Sequence, residues 1–185
     1  CILGRGRAVE MKRYSAGKIS LMGLLFALAM VFSYLESLVS IPGLLPGMRL
    51  GLSNLVTMYC LFFLGKSSGY TMAVLKAGFV VLTRGAVAGA LSLSGGLLSV
   101  TAIVLLDCLS KHSLHYVTLS AVGAVFHNIG QLVVARFLTS VFLYYYIPVL
   151  LLTGLAVGIM TGKLFIWIIP YLPERYRTKL HRFEK

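Results

Sequence analysis

The chain predicts an all-α integral membrane protein of six transmembrane helices, and three observations carry that prediction. Of its 185 residues, 58% are hydrophobic and only 12% are charged; mean hydropathy is +0.90, outside the range of soluble domains. Apolar runs of membrane-crossing length recur between short polar or Gly/Pro-bearing breaks. Basic residues gather at both ends and in two of the breaks. A bilayer core about 30 Å thick takes roughly 20 apolar residues per helix, so six spans use about 120 residues and leave only tails and loops within this length.

The first run, 19–39, follows a basic segment carrying Arg5, Arg7, Lys12, Arg13 and Lys18. It reads as a helix that stays in the membrane, because the chain remains hydrophobic after it instead of becoming a polar mature domain. The further spans are 50–65, 69–88, 91–110, 116–140 and 144–169. They are separated by Pro42, Gly43, Pro46 and Gly47, by Gly65 to Gly69, by Gly89 to Gly95, by Lys111 to His115, and by a short turn near Tyr144.

Six helices put both ends on one side. With the N-terminal basic residues, with Arg175, Arg177, Lys179, Arg182 and Lys185 at the far end, and with Lys66 and Lys111 in the second and fourth connections, that side is cytoplasmic by the positive-inside rule. The organisation is then a basic cytoplasmic tail (1–18), a six-helix transmembrane domain (19–170) and a second basic cytoplasmic tail (171–185), N-in and C-in in a bacterial plasma membrane. The net charge of +12 serves topology and contact with anionic lipid. No nucleic-acid partner is expected, because no compact basic domain presents the charge.

The acids exclude whole classes of chemistry. Only five are present, and Asp107 is the one aspartate, so the clustered carboxylates that hold Mg²⁺ in diphosphate chemistry cannot be assembled. Cys1, Cys60 and Cys108 share no metal-ligand spacing. No metal, cofactor or catalytic residue is expected, and the chain reads as a non-enzyme.

Polar groups at bilayer depth are the functional signal, since each costs roughly 2.5 to 3.5 kcal/mol even on insertion scales. Glu36, Arg49, Asn54, Lys76 and Arg84 fall in or beside the first three spans, and His127, Asn128, Gln131 and Arg136 in the fifth. By the expected topology most lie in the outer half. His127 and Gln131 are four apart and share a helix face, with Asn128 at its shoulder; Lys76 and Arg84 are eight apart, about 80° around the helix. The cations exceed the one acid, so the expected ligand is a small anion held by Arg49, Lys76 and Arg84 and oriented by Asn54, His127, Asn128 and Gln131. The alternatives stay open: Arg49, Arg84 and Glu36 solvated or paired at the outer interface, and the fifth-span amides and His127 bonding between helices. Arg136 reads as a snorkelling residue, and Asp107 as an ion-pair partner of Lys111.

Small residues recur four apart at Gly23/Ala27, Ala73/Ala77, Gly85/Gly89 and Gly154/Gly158/Gly162, rows that let helix backbones pack closely in lipid. The segment Pro42-Gly43-Leu44-Leu45-Pro46-Gly47-Met48-Arg49-Leu50-Gly51-Leu52-Ser53-Asn54 makes a stiff turned loop leading into the second span.

Together with Ser92-Leu93-Ser94-Gly95-Gly96 and Gly123-Ala124-Val125-Phe126-His127-Asn128-Ile129-Gly130-Gln131, these segments resemble the Gx transporter family, whose members also carry the name heptaprenyl diphosphate synthase component I. That family is similar to the substrate-binding S components of energy-coupling-factor (ECF) transporters. The resemblance covers residues 12 to about 170. It implies an S-component-like six-helix bundle with an outward pocket for a micronutrient or precursor, docked through Gly23 and Ala27 on an ECF coupling subunit and driven by ATPase subunits. The second name implies the alternative, a non-catalytic membrane component associated with heptaprenyl diphosphate or quinone biosynthesis. The identity of the ligand is not legible in the sequence.

Overall fold

The computed structural model describes residues 2–38, 52–110, 114–138 and 147–171. They form α1 (Ile2–Leu38), α2 (Leu52–Tyr59) continued by a π-helical turn (Cys60–Leu64), α3 (Lys66–Arg84), α4 (Ala86–Leu109), α5 (Tyr116–Leu138) and α6 (Ile147–Ile168), which ends in a 3-10 turn (Ile169–Tyr171). No strand occurs among the described residues.

Four segments are long and apolar enough to cross a membrane: Ala16–Glu36 in α1, Ala86–Leu109, Tyr116–Leu138 and Ile147–Tyr171. The second and third expected spans have a different character. Leu52–Leu64 is apolar but short, about 20 Å long at 1.5 Å per residue. Helix α3 has 19 residues and carries Lys66, Lys76 and Arg84, which lower its hydropathy. The surface fits a lipid surround: Leu82 is 85% exposed and Phe137 84%, where a water-soluble domain would cover such large apolar groups.

Helices α3, α4, α5 and α6 pack as consecutive neighbours, α1 lies against α2 and α3, and α2 closes the bundle by reaching α6. Three apolar clusters hold this arrangement. Ala29, Val56, Cys60 and Met72 join α1, α2 and α3. Leu61, Ala73, Val100, Ile103 and Leu119 fill the centre. At one end Met58, Phe63, Tyr116 and Phe165 interlock, with the Tyr116 ring 5.1 Å from Phe62 and 5.3 Å from Phe165.

The break between the third and fourth helices corrects the sequence reading. It falls at Gly85, not within Gly89–Gly95, and Gly85 makes it alone with φ +89°, a conformation that costs a residue without a Cβ little. Gly89 and Gly95 instead lie buried inside α4, where the missing side chain admits a neighbouring helix. Between α5 and α6 the same device recurs. A Cβ at Gly158 would lie 2.7 Å from the Ala121 Cα, and one at Gly162 2.7 Å from the Val117 Cα. The row Gly154/Gly158/Gly162 therefore packs inside the subunit, whereas Gly23 and Ala27 are exposed on α1.

This contact is testable. Gly158→Ala and Gly162→Ala each force backbone apart and should lower stability by about 1–3 kcal/mol. Gly78→Ala, where a Cβ meets nothing within 4 Å, should be neutral or stabilising by up to about 1 kcal/mol. Thermal unfolding in detergent compares the three, and a Gly158→Ala protein as stable as Gly78→Ala would refute the tight α5/α6 contact.

Candidate functional site

Five of the six described helices contribute to one partly open cavity. From α2 come Asn54, Thr57 and Met58, from α3 Lys76 with Ala73, from α4 Ser92, Gly96 and Ser99, from α5 Ser120, Gly123 and His127, and from α6 Val157, Gly158 and Thr161. Each set follows helical spacing: Ser92/Gly96/Ser99, Ser120/Gly123/His127 and Val157/Gly158/Thr161 each run along one face over two turns or fewer. The space open to the centre of a water molecule is about 40 Å³, room for about three waters.

Lys76 is the one cation on this wall among the described residues. Its Nζ donates to Asn54 Oδ1 at 2.9 Å and to Thr57 Oγ1 at 3.4 Å. Thr57 in turn donates to the Ser53 carbonyl at 3.4 Å, so its lone pairs face the lysine. An ammonium carries three N–H groups, and these bonds use two. Across the cavity His127 packs on Gly95, whose absent Cβ would lie 3.0 Å from the His127 Cε1. The His127 Nδ1 is buried with no hydrogen-bond partner.

Glu36 sets the position of Asn54 and Thr57 indirectly. It is 8% exposed, and its Oε1 accepts the backbone N–H of Leu52 and, at 3.4 Å, of Ser53. A side chain of α1 thus satisfies the first N–H groups of α2, as a helix cap does, and favours the positive end of the helix dipole. Lys76 and Arg84 both act on its charge through space.

The other expected site residues are placed as follows. Arg84 donates from Nη2 to the Ser33 carbonyl at 3.2 Å, tying α3 to α1. Asn128 donates from Nδ2 to the Leu150 carbonyl at 2.7 Å, tying α5 to α6. Gln131 lies against α4, its Cγ 3.0 Å from where a Gly95 Cβ would be. Arg49 lies outside the described residues, as do the expected loop of residues 42–51, Lys111 and the Tyr144–Tyr146 cluster. Asn54, Lys76 and His127 are therefore brought together, while Arg84 and Asn128 are engaged in holding helices. Outside the spans, Lys66 donates to Cys108 Sγ at 3.1 Å, and that bond holds its ammonium above the usual lysine pKa.

Sequence reading missed Thr57, Ser92, Ser99, Ser120 and Thr161. Single hydroxyls in membrane helices are common and cheap because they can bond their own helix, as Thr161 does to the Val157 carbonyl at 2.8 Å. The available signal was their spacing: Ser92 and Ser99, and Ser120 and His127, are each seven apart, two turns along one face.

These features define a helical bundle of membrane character around a small, mostly apolar cavity that carries one lysine among the described residues. A family model for heptaprenyl diphosphate synthase component I matches residues 25–166, a stretch that includes every residue on the cavity wall. The chain belongs to the heptaprenyl diphosphate synthase component I family. Neither the curated proteins nor the solved structures compared with it give a match.

The capping role of Glu36 separates from its burial cost by comparing two variants. Glu36→Gln keeps a carbonyl oxygen for Leu52 and Ser53, and Glu36→Ala removes it. Glu36→Ala should be less stable than Glu36→Gln by about 0.5–2 kcal/mol, read from thermal unfolding in detergent; equal stability would mean the cap contributes nothing.

Proposed function

We propose that this chain is a non-catalytic, membrane-embedded binding subunit that holds a small anion against Lys76 and serves a separate enzyme component of heptaprenyl diphosphate synthesis. The observation that carries the first part is the lysine's surroundings. Its ammonium lies on the wall of the cavity, bonded to two neutral acceptors, and no carboxylate lines the wall among the described residues. The groups that bond the ammonium are neutral and Glu36 acts on it only through space, so an anion with a free oxygen would take the third N–H. Asn54 and His127 are the orienting groups nearest this position and Gln131 remains a proposed contributor; Arg84 and Asn128 bond the Ser33 and Leu150 carbonyls instead, and Arg49 lies outside the described residues.

The family name supports the second part, because a component I implies another component. With one aspartate and five acids in the whole chain, prenyl transfer on Mg²⁺-bound diphosphate belongs to that partner. The proposed setting is a bacterial plasma membrane crossed six times, N-in and C-in, with the short α2 segment and the lysine-bearing α3 stabilised by the four longer helices around them.

A second reading is the S component of an ECF importer for an anionic micronutrient or precursor. One observation favours it: Gly23 and Ala27 are exposed on α1, and a Cβ at Gly23 would meet no atom within 4 Å, so the face is open to a coupling subunit with its ATPase subunits.

Co-purification from native membranes discriminates the two. Recovery of a prenyl diphosphate synthase component supports the first, and recovery of coupling and ATPase subunits, lost in Gly23→Leu, supports the second. For the site itself, native mass spectrometry should find a retained small molecule in the wild type and none in Lys76→Met, since a hydrogen bond to a charged group is worth about 1.5–3 kcal/mol. Undiminished retention in a folded Lys76→Met protein would remove Lys76 from the site.

A further inference from the structure

We infer that the cavity takes a small molecule with a single negative charge and at least one hydroxyl, bound charge-first on Lys76, with Ser92, Ser99, Ser120 and His127 reading its neutral part. The inference rests on the anion-binding reading above and narrows it.

Charge is the first argument. Among the described residues Lys76 is the only cation on the wall, because Arg84 points its guanidinium at the Ser33 carbonyl. One ammonium balances one anionic oxygen pair. A diphosphate would carry further charges into a space whose remaining polar groups are neutral, where an unpaired buried charge is strongly disfavoured.

Size is the second. About 40 Å³ open to water centres holds about three waters, which a molecule of a few non-hydrogen atoms would replace. A prenyl chain with its diphosphate exceeds this several times over.

The wall chemistry is the third. Ser94 and Thr101 on α4 turn their hydroxyls back to the Leu91 and Leu97 carbonyls. Ser92, Ser99 and Ser120 form no such bond among the described residues and border the cavity. Ser99 Oγ lies over Gly123, 3.1 Å from where a Cβ would be, so the glycine leaves that hydroxyl open. The buried His127 Nδ1 lacks a partner on the same wall, and a buried polar atom left so is costly unless something bonds it. A few neutral hydroxyls and His127 beside one cation, on a wall otherwise formed by apolar residues such as Leu61, Val100 and Ile103, match a hydroxylated monoanion.

Equilibrium dialysis of the purified full-length chain in detergent tests this with glycolate, acetate and pyrophosphate as probes. Glycolate should bind at one per chain and compete with acetate, which should be about threefold to tenfold weaker for want of one neutral hydrogen bond; pyrophosphate should be weaker than both. Ser99→Ala should erase the glycolate preference and leave acetate binding unchanged. Lys76→Met should weaken glycolate by roughly tenfold to a hundredfold, and Ser99→Ala keeps the test decisive if Lys76→Met does not fold.

Tighter binding of pyrophosphate than of glycolate, lost in Lys76→Met, would overturn the single-charge inference while leaving the anion site standing. Equal affinity for glycolate and acetate would overturn the hydroxyl-reading role of the serines. Absence of Lys76-dependent binding by any of the three would overturn the underlying anion-binding reading itself.

Discussion

An ammonium group in the interior of an apolar bundle must be solvated by the protein, and Lys76 imposes that requirement on everything around it. Its two bonds, to Asn54 and Thr57, make α2 the neighbour it needs. That neighbour is short and would leave its first N–H groups unsatisfied at the end of the segment. Glu36 supplies the acceptor from α1, so an acid and a base that are 40 positions apart in sequence both engage the first two turns of the same helix. The acid also offsets part of the lysine's cost through space, without occupying the cavity wall.

The rest of the wall depends on helices that approach closely without closing the space between them. Glycines decide where contact occurs. Gly158 and Gly162 bring α6 onto α5, and Gly95 and Gly130 bring α4 onto α5, where a Cβ at Gly130 would stand 2.7 Å from the Ser94 carbonyl oxygen. Gly85 turns α3 into α4 within one residue, which keeps Lys76 and the α4 serines in one cavity. In a lipid surround, where burying apolar surface between helices yields little, backbone contacts of this kind supply the packing.

The family membership and the cavity bear on different levels of function. The first indicates an association with heptaprenyl diphosphate synthesis through a partner component. The second indicates what this chain itself can bind. On the proposed reading, a site with one cation among the described residues suits a regulatory or supply role better than holding the diphosphate named in the family.

Much was legible before the structure. Composition alone pointed to a helical chain of membrane character. The cost of burying charge singled out Lys76, and the side-chain type singled out Asn54 and His127; both signals are properties of individual residues. What only the tertiary structure decided is which faces meet. Helical periodicity fixes that Ser120 and His127 share a side of α5, but not that this side faces Lys76. It also cannot tell that Arg84 and Asn128 are drawn away to the Ser33 and Leu150 carbonyls, because those acceptors are backbone groups on other helices. The position of the α3/α4 turn was undecided for the same reason: Gly85, Gly89 and Gly95 are chemically identical, and only the packing against Val81, His127 and Gln131 makes one of them a turn and the other two points of contact.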